Sequence, residues 1–322
     1  MRSTGCSLLR LTQESDRAYA MEDFEGPQAR WCPGCGNHSI LAATERLMAS
    51  EGLAPEETVV VSGIGCSGRF PHHIDTYGFH AIHGRALPVA TGVKLHRPDL
   101  SVFAVMGDGD CISIGAGPWI HAIRSNTDMV AMMFDNHIYG LTKKQTSPTT
   151  PQGYRTNTQP HGTFLPAMNP LTATLGVTNA SFVAQTAEWV PQHLQATLEA
   201  AYRHEGLGFV RILQRCPHYT EEMFLDAVQN PDRIELLVHP DGVEATGSLA
   251  DVYENQKRHD PGDLDFARRL AEQEGEEGGR IRLGVFFRDE SRPVYDEIRR
   301  VPSRSAEERV DILDRELDRH AV

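Results

Sequence analysis

Two sets of residues in this 322-residue chain have the types and spacing to do chemistry. The first is Gly107-Asp108-Gly109-Asp110, followed by Asp135-Asn136 with 26 residues between Gly109 and Asn136. Glycines let backbone N–H groups come close to a phosphate, and a turn built from them makes an anion cradle. Asp108, Asn136 and the carbonyl of Ile138 supply hard oxygen ligands of the kind Mg²⁺ takes beside phosphate oxygens. A lone Gly-Asp-Gly is more often a glycine turn with a helix-capping Asp. Here the interval to Asn136 fills one helix and one strand, which favours a diphosphate and metal site.

The second set is thiols. Cys32 and Cys35 form a Cys-x-x-Cys knuckle in Trp31-Cys32-Pro33-Gly34-Cys35-Gly36, while Cys66 and Cys216 stand alone further on. A chain of this length does not need disulfide staples, and clustered cysteines in a reducing compartment point to metal or redox chemistry. A thioredoxin-like pair should follow a strand, whereas this knuckle follows an irregular segment. The four thiols together suit one tetrahedral zinc or one [4Fe–4S] cluster, and the cysteines alone do not choose. Cys6, in the terminal segment, and Cys111 are read as non-ligands.

The elements that must position these residues are legible as well. Four short, continuously apolar runs, 58–62, 101–106, 129–134 and 208–213, predict buried strands of a parallel sheet. A helix is predicted from Asn37 or Ser39 to Met48, and another over 188–202. Their alternation implies an open, mainly parallel α/β sheet with helices on both faces and right-handed crossovers. Each run ends in a loaded turn: Gly63-Ile64-Gly65-Cys66-Ser67-Gly68, then Gly107 to Asp110, then Asp135-Asn136, then Arg215-Cys216-Pro217. Ligands bind at the carboxyl ends of such strands, so the four turns are expected to share one edge.

The predicted organisation is an arm over 1–30, a ligand-binding domain over 31–218 and an acidic extension over 219–322 that contacts another subunit. The segment 142–170, rich in Thr, Gln, Gly, Pro and Asn, is expected as a long ordered loop. Past Pro217 the strand signal fades, the stretch 258–279 is highly charged, and 305–320 has the pattern of an exposed amphipathic helix. Residues 1–218 carry 18 acids and 16 bases, and 219–322 carry 26 and 15, so the tail supplies most of the net charge of −13. That balance weighs against nucleic-acid binding. No apolar run approaches the roughly 18–20 residues that cross a bilayer, and the first 30 residues have neither a signal nor an anchor pattern. A soluble, cytoplasmic protein is expected.

The Gly107-Asp108-Gly109…Asn136 arrangement resembles the thiamine-diphosphate signature. A thiamine site beside four thiols favours the cluster over zinc, because electrons leaving a thiamine adduct need a close acceptor. The block from Trp31 to about Ala184 is similar to the β subunit of 2-oxoacid:ferredoxin oxidoreductases, most of all the 2-oxoglutarate type. The resemblance is carried by WCPGCG at 31–36, SGIGCSGR at 62–69, PHH at 71–73, HGRALPVATGVKL at 83–95, GDGD at 107–110, IYGLTKKQTSPTT at 138–150 and RCP at 215–217. Asp135 stands where the family often has Asn, and Lys144 where it commonly has Gly.

The resemblance implies cluster ligands at Cys32, Cys35, Cys66 and Cys216, and Mg²⁺ ligands at Asp108, Asn136 and the Ile138 carbonyl. Around thiamine diphosphate it implies Gly65, Cys66, Ser67, Gly107, Asp108, Gly109, Asp110, Asn136, Ile138, Tyr139, Gly140 and Leu141. His83 and Arg85 are expected in the catalytic site. Arg69, His72, Thr142, Lys143 and Lys144 are expected to hold the substrate's carboxylate. The implied reaction is the reversible, coenzyme A-dependent oxidative decarboxylation of 2-oxoglutarate to succinyl-CoA and CO₂, with electrons passing through one [4Fe–4S] cluster to ferredoxin. The pyrimidine-binding half, with the glutamate that activates the cofactor, is expected from an α subunit in an (αβ)₂ assembly. Pyruvate or a broad 2-oxoacid range is the alternative substrate. A non-redox thiamine decarboxylase or carboligase with structural zinc is the alternative enzyme, although the chain is too short for both halves of one. A metal-stabilised scaffold would leave the Gly-Asp-Gly…Asn pair unexplained.

Overall fold

The computed structural model describes residues 18–273, 279–299 and 305–320; Cys6 lies outside them. The strands are β1 (Thr58–Ser62), β2 (Tyr77–His80), β3 (Ser101–Gly107), β4 (Met129–Asp135), β5 (Ile138–Tyr139), β6 (Gln145–Thr146), β7 (Phe182–Ala187), β8 (Leu207–Leu213), β9 (Ile234–Val238), β10 (Gln256–Arg258) and β11 (Ile281–Arg288). All but β5 and β6 join one nine-stranded sheet in the order β10-β9-β11-β7-β8-β4-β3-β1-β2. The six strands from β2 to β7 in that order are mutually parallel. The helices that bear on the site are α1 (Asn37–Ser50), α2 (Ala86–His96), α3 (Ala116–Ser125), α4 (Pro170–Leu175) and α5 (Pro191–Arg203).

Continuous apolar strands are what a sheet covered on both faces requires. Along β3, Val102, Ala104 and Met106 enter one core with Leu87 of α2 and Trp119 of α3. The alternate residues Phe103 and Val105 enter the other core with Ile40 of α1 and Leu194 of α5. The same alternation divides Met129, Ala131 and Met133 from Val130, Met132 and Phe134 in β4. Each fully buried side chain of this size contributes about 1.5–3 kcal/mol, so the carboxyl ends of β3 and β4 are held on a rigid base.

The strand signal fades past Pro217, but the sheet does not end there. Strand β11 pairs antiparallel with β7 and parallel with β9, which pairs with β10, so the acidic third of the chain continues the same sheet. These strands were obscured by charge: β10 is Gln-Lys-Arg, and Ile281-Arg282-Leu283-Gly284 alternates before turning apolar. Even the charged stretch 258–279 buries Ala267, Leu270 and Ala271, from the helix Leu264–Glu272, in the first core. Strand β7 and the exposed edge strand β2 were also not anticipated. The expected helix at 305–320 is present over Ala306–Arg319, with Ser305 as its N-cap. No described helix is long and apolar enough to cross a membrane.

Candidate active site at the carboxyl edge of the sheet

The turns after β1, β3 and β4 and the residue after β8 meet around a cavity of about 300 Å³. Its lining includes Gly65, Cys66, Ser67, His83, Gly107 to Asp110, Asn136, Ile138 to Thr142 and Gln214. The glycines are there for space. A Cβ on Gly109 would lie 2.2 Å from the Tyr139 ring, and one on Gly63 would lie 1.7 Å from Asp110 Oδ2. The backbone of both turns is therefore pressed against its neighbours, where only glycine fits. Tyr139 donates its hydroxyl to the Gly109 carbonyl at 2.8 Å, which fixes the turn from the opposite side.

Asp108 is 2% exposed, and its Oδ2 accepts from Ser147 Oγ at 2.5 Å and Thr149 Oγ1 at 2.6 Å. Burial, together with the charge of Asp135, pushes its carboxyl up to about 7. Asp135 is equally buried, but Arg211 and His137 outweigh that burial and hold its carboxyl below the usual range. Arg211 reaches Asp135 Oδ2 through both Nε and Nη2 at 2.7 Å. Thr149 Oγ1 also stands 2.9 Å from Asp135 Oδ1, so one hydroxyl bridges the two carboxylates. Asn136 Oδ1 accepts from the Ile138 N–H at 3.2 Å. A buried carboxylate, an amide oxygen and a glycine cradle fit Mg²⁺ with a diphosphate.

Asp110 organises the far wall. Its Oδ1 accepts from Ile64 N at 3.1 Å and Gly84 N at 2.7 Å, and it contacts His83 Nδ1 at 2.5 Å. Facing a carboxylate, Nδ1 carries the imidazole proton, which makes Nε2 the acceptor of the neutral ring. Asp110 Oδ2 is buried without a hydrogen-bond partner among the described residues.

The thiols gather beside this cavity. Cys66 lines it, and Cys66, Cys216 and Cys32 lie near enough to Cys35 to disfavour its thiolate. Burial first, and the neighbouring thiols after it, push Cys35 up to about 12 and Cys66 up to about 11. Three segments distant in sequence are stitched together to do this. Trp31 Nε1 donates to the Cys66 carbonyl at 2.7 Å, and Gly36 N donates to the Arg215 carbonyl at 3.2 Å. Among the described residues no three His, Cys, Asp or Glu side chains stand close enough to hold a single metal ion. Four thiols gathered from three segments are a donor set for either zinc or an iron–sulfur cluster.

The predicted residues divide. Every residue expected around the cofactor lines the cavity, as do His83 and Thr142. Arg85, Arg69, His72, Lys143 and Lys144 lie outside that lining. Arg85 turns back on the Gly84 carbonyl, Arg69 reaches the Arg30 carbonyl at 3.5 Å, and the His72 ring packs on His80. Lys143 and Lys144 both adopt positive φ, and the Lys144 ammonium sits over the Tyr154 ring. Ser147, Thr149, Arg211 and Gln214 were not anticipated. Ser147 and Thr149 belong to the long loop, whose run of hydroxyls was the available signal.

The cradle at a parallel sheet's carboxyl edge defines a thiamine-diphosphate-binding α/β domain. Residues 63–212 accordingly match the family described as thiamine pyrophosphate enzyme, C-terminal TPP binding domain. The chain is 37% identical over 273 residues to the β subunit of a 2-oxoacid:ferredoxin oxidoreductase from a Sulfolobus species, covering 83% of this chain and 84% of that one. It is 43% identical over 225 residues to the 2-oxoglutarate oxidoreductase subunit KorB of Mycobacterium tuberculosis, 70% of this chain but only 60% of that relative's length. A solved 2-oxoglutarate:ferredoxin oxidoreductase from Magnetococcus marinus, with 2-oxoglutarate, coenzyme A and succinyl-CoA bound, superposes with a TM-score of 0.76 at 33% identity, over 92% of this chain and 96% of that one. The chain belongs to the β subunits of the 2-oxoacid:ferredoxin oxidoreductases.

Proposed function

We propose that this chain works with an α subunit to oxidise 2-oxoglutarate in the presence of coenzyme A, yielding succinyl-CoA and CO₂ reversibly, with electrons passed to ferredoxin. The observation that carries this reading is the position of Cys66, which lines the cofactor cavity and lies near Cys32, Cys35 and Cys216. Cys32, Cys35, Cys66 and Cys216 would hold one [4Fe–4S] cluster, and Asp108, Asn136 and the Ile138 carbonyl would hold Mg²⁺ on the diphosphate. Bound thiamine diphosphate supplies the electron sink for decarboxylation. The protein's part is to position and to exclude water. The glycine turns seat the diphosphate, Ser147 and Thr149 aim Asp108, and Asp110 holds His83 with Nε2 as its acceptor.

The 2-oxoglutarate reading is supported by the names of several relatives and by the bound molecules of the Magnetococcus enzyme. Thr142 at the cavity, with Arg69, Lys143 or Lys144 moving inward, would hold the distal carboxylate. The α subunit is supported by apolar side chains left exposed at the rim: Ile82 beside His83, Ile114 and Leu141. It would bring the group that activates the cofactor. The test is anaerobic reduction of a viologen dye by the co-expressed complex with 2-oxoglutarate or pyruvate, with and without coenzyme A. Reduction that requires 2-oxoglutarate and coenzyme A supports the reading. A preference for pyruvate would replace the substrate, and no reduction with any 2-oxoacid would remove the reading.

A further inference from the structure

Gln214, the residue after β8, sits between the two halves of the site and was singled out by no motif. It is 2% exposed, and its backbone N–H donates to the Asp135 carbonyl at 2.9 Å, which locks it to the end of β4. Its Oε1 accepts from Asn136 Nδ2 at 2.7 Å. Its Nε2 faces the Arg215 carbonyl and Cys35 Sγ, the latter at 3.4 Å. The orientation of both amides is determined by their neighbours. A carbonyl only accepts, so the Gln214 NH₂ must face Arg215; the Ile138 N–H only donates, so Asn136 must turn Oδ1 toward it.

We infer that Gln214 is a positioning residue shared by the metal site and the cysteine site: it turns the Asn136 oxygen toward the cation and donates an N–H to the Cys35 sulfur. The inference rests on the metal and cluster assignments proposed above. With Nδ2 committed to Gln214, Asn136 has one atom to offer a cation, and it is the right one. Outer partners of this kind fix ligand orientation and account for much of a site's affinity. A hydrogen bond to a cluster sulfur stabilises the more negative, reduced state and so raises the reduction potential. One buried side chain thereby serves two centres whose ligands come from different segments.

The two roles separate by substitution in the co-expressed, anaerobically purified complex. Gln214→Met keeps the volume and loses both contacts; Gln214→Glu keeps an oxygen for Asn136 but, when ionised, offers no N–H to sulfur. Two readouts are taken: Mn²⁺ affinity with thiamine diphosphate present, and the cluster's midpoint potential by EPR-monitored titration. Gln214→Met is expected to weaken Mn²⁺ binding about 10- to 100-fold and to lower the potential. Gln214→Glu is expected to lower the potential while keeping Mn²⁺ affinity. Unchanged affinity and potential in an iron-loaded Gln214→Met complex would overturn the inference alone. Equal loss of affinity in both variants would also overturn it, by showing only a packing role. If Gln214→Met fails to assemble, an unchanged potential in Gln214→Glu overturns it. A wild-type complex without iron would remove the cluster assignment and this inference with it.

Discussion

The diphosphate side and the thiol side of the site are built in opposite ways. On the diphosphate side the groups come from contiguous motifs at adjacent strand ends and lie deep: Asp108 and Asp110 are each 2% exposed. They are braced by a layer of hydroxyls, backbone amides and Arg211. On the thiol side Cys32 is exposed and Cys35, Cys66 and Cys216 are partly so. These four come from three remote segments and are held by hydrogen bonds from Trp31 Nε1, Gln214 Nε2 and the Gly36 backbone. A preformed, buried charge site tolerates little change, because every partner removed leaves a desolvated group behind. A thiol set at the rim can be lost without unfolding the sheet beneath it.

Substitutions can break that contrast, and the largest effect falls on Asp108, the proposed cation ligand. Asp108→Ala is expected to abolish Mg²⁺-dependent thiamine diphosphate binding, by more than the roughly 100-fold that losing an outer partner costs; isothermal titration reads it. Cys66→Ala is expected to empty the complex of iron while leaving its melting temperature nearly unchanged and thiamine diphosphate still bound, as metal analysis and calorimetry would show. A large fall in melting temperature would show the thiol side to be as structural as the other.

Thr149→Val sharpens the same comparison from behind. It removes the hydroxyl between Asp108 and Asp135 without changing shape, and should destabilise the protein by about 1–3 kcal/mol in denaturant titrations. The last effect lies away from both sides and touches only stability against pH. His193, fully buried in α5 beside Thr186 and Thr197, is pushed down to about 3 by burial. Its folded-state value is below the unfolded 6.5, so the unfolded chain takes up the proton first. Stability should therefore fall as pH drops from about 6.5 toward 3, by about 1.4 kcal/mol per unit from this group. His193→Gln should flatten that slope in urea midpoints measured against pH, without altering cofactor affinity.

Much of this site was legible because its chemistry requires rare residue types in short runs. Gly107-Asp108-Gly109 and the cysteine knuckle are each ambiguous alone, but their spacing to Asn136 and their place at the ends of buried strands narrow the reading, and strand order then brings the turns to one edge. What was hidden depends on contacts between segments. Thr149 meets Asp108 across 41 positions, and Gln214 meets Cys35 across 179; an isolated Thr or Gln carries no periodic or compositional signal. The basic residues show the converse. Arg69, Arg85, His72, Lys143 and Lys144 have the right charge for a carboxylate, but charge without a direction did not place them at the cavity. Strands β9 to β11 were hidden because their flanks are charged, although their inward residues Ile234, Leu236 and Leu283 form a core of their own.

On the proposed reading, one sheet edge joins a thiamine diphosphate site to an iron–sulfur cluster held by four cysteines. Iron and zinc analysis with absorbance spectroscopy, on the anaerobically purified complex, tests it most directly. The expected result is about four irons per chain and a broad band near about 400 nm that bleaches when 2-oxoglutarate and coenzyme A are added. Colourless protein holding one zinc per chain would contradict it.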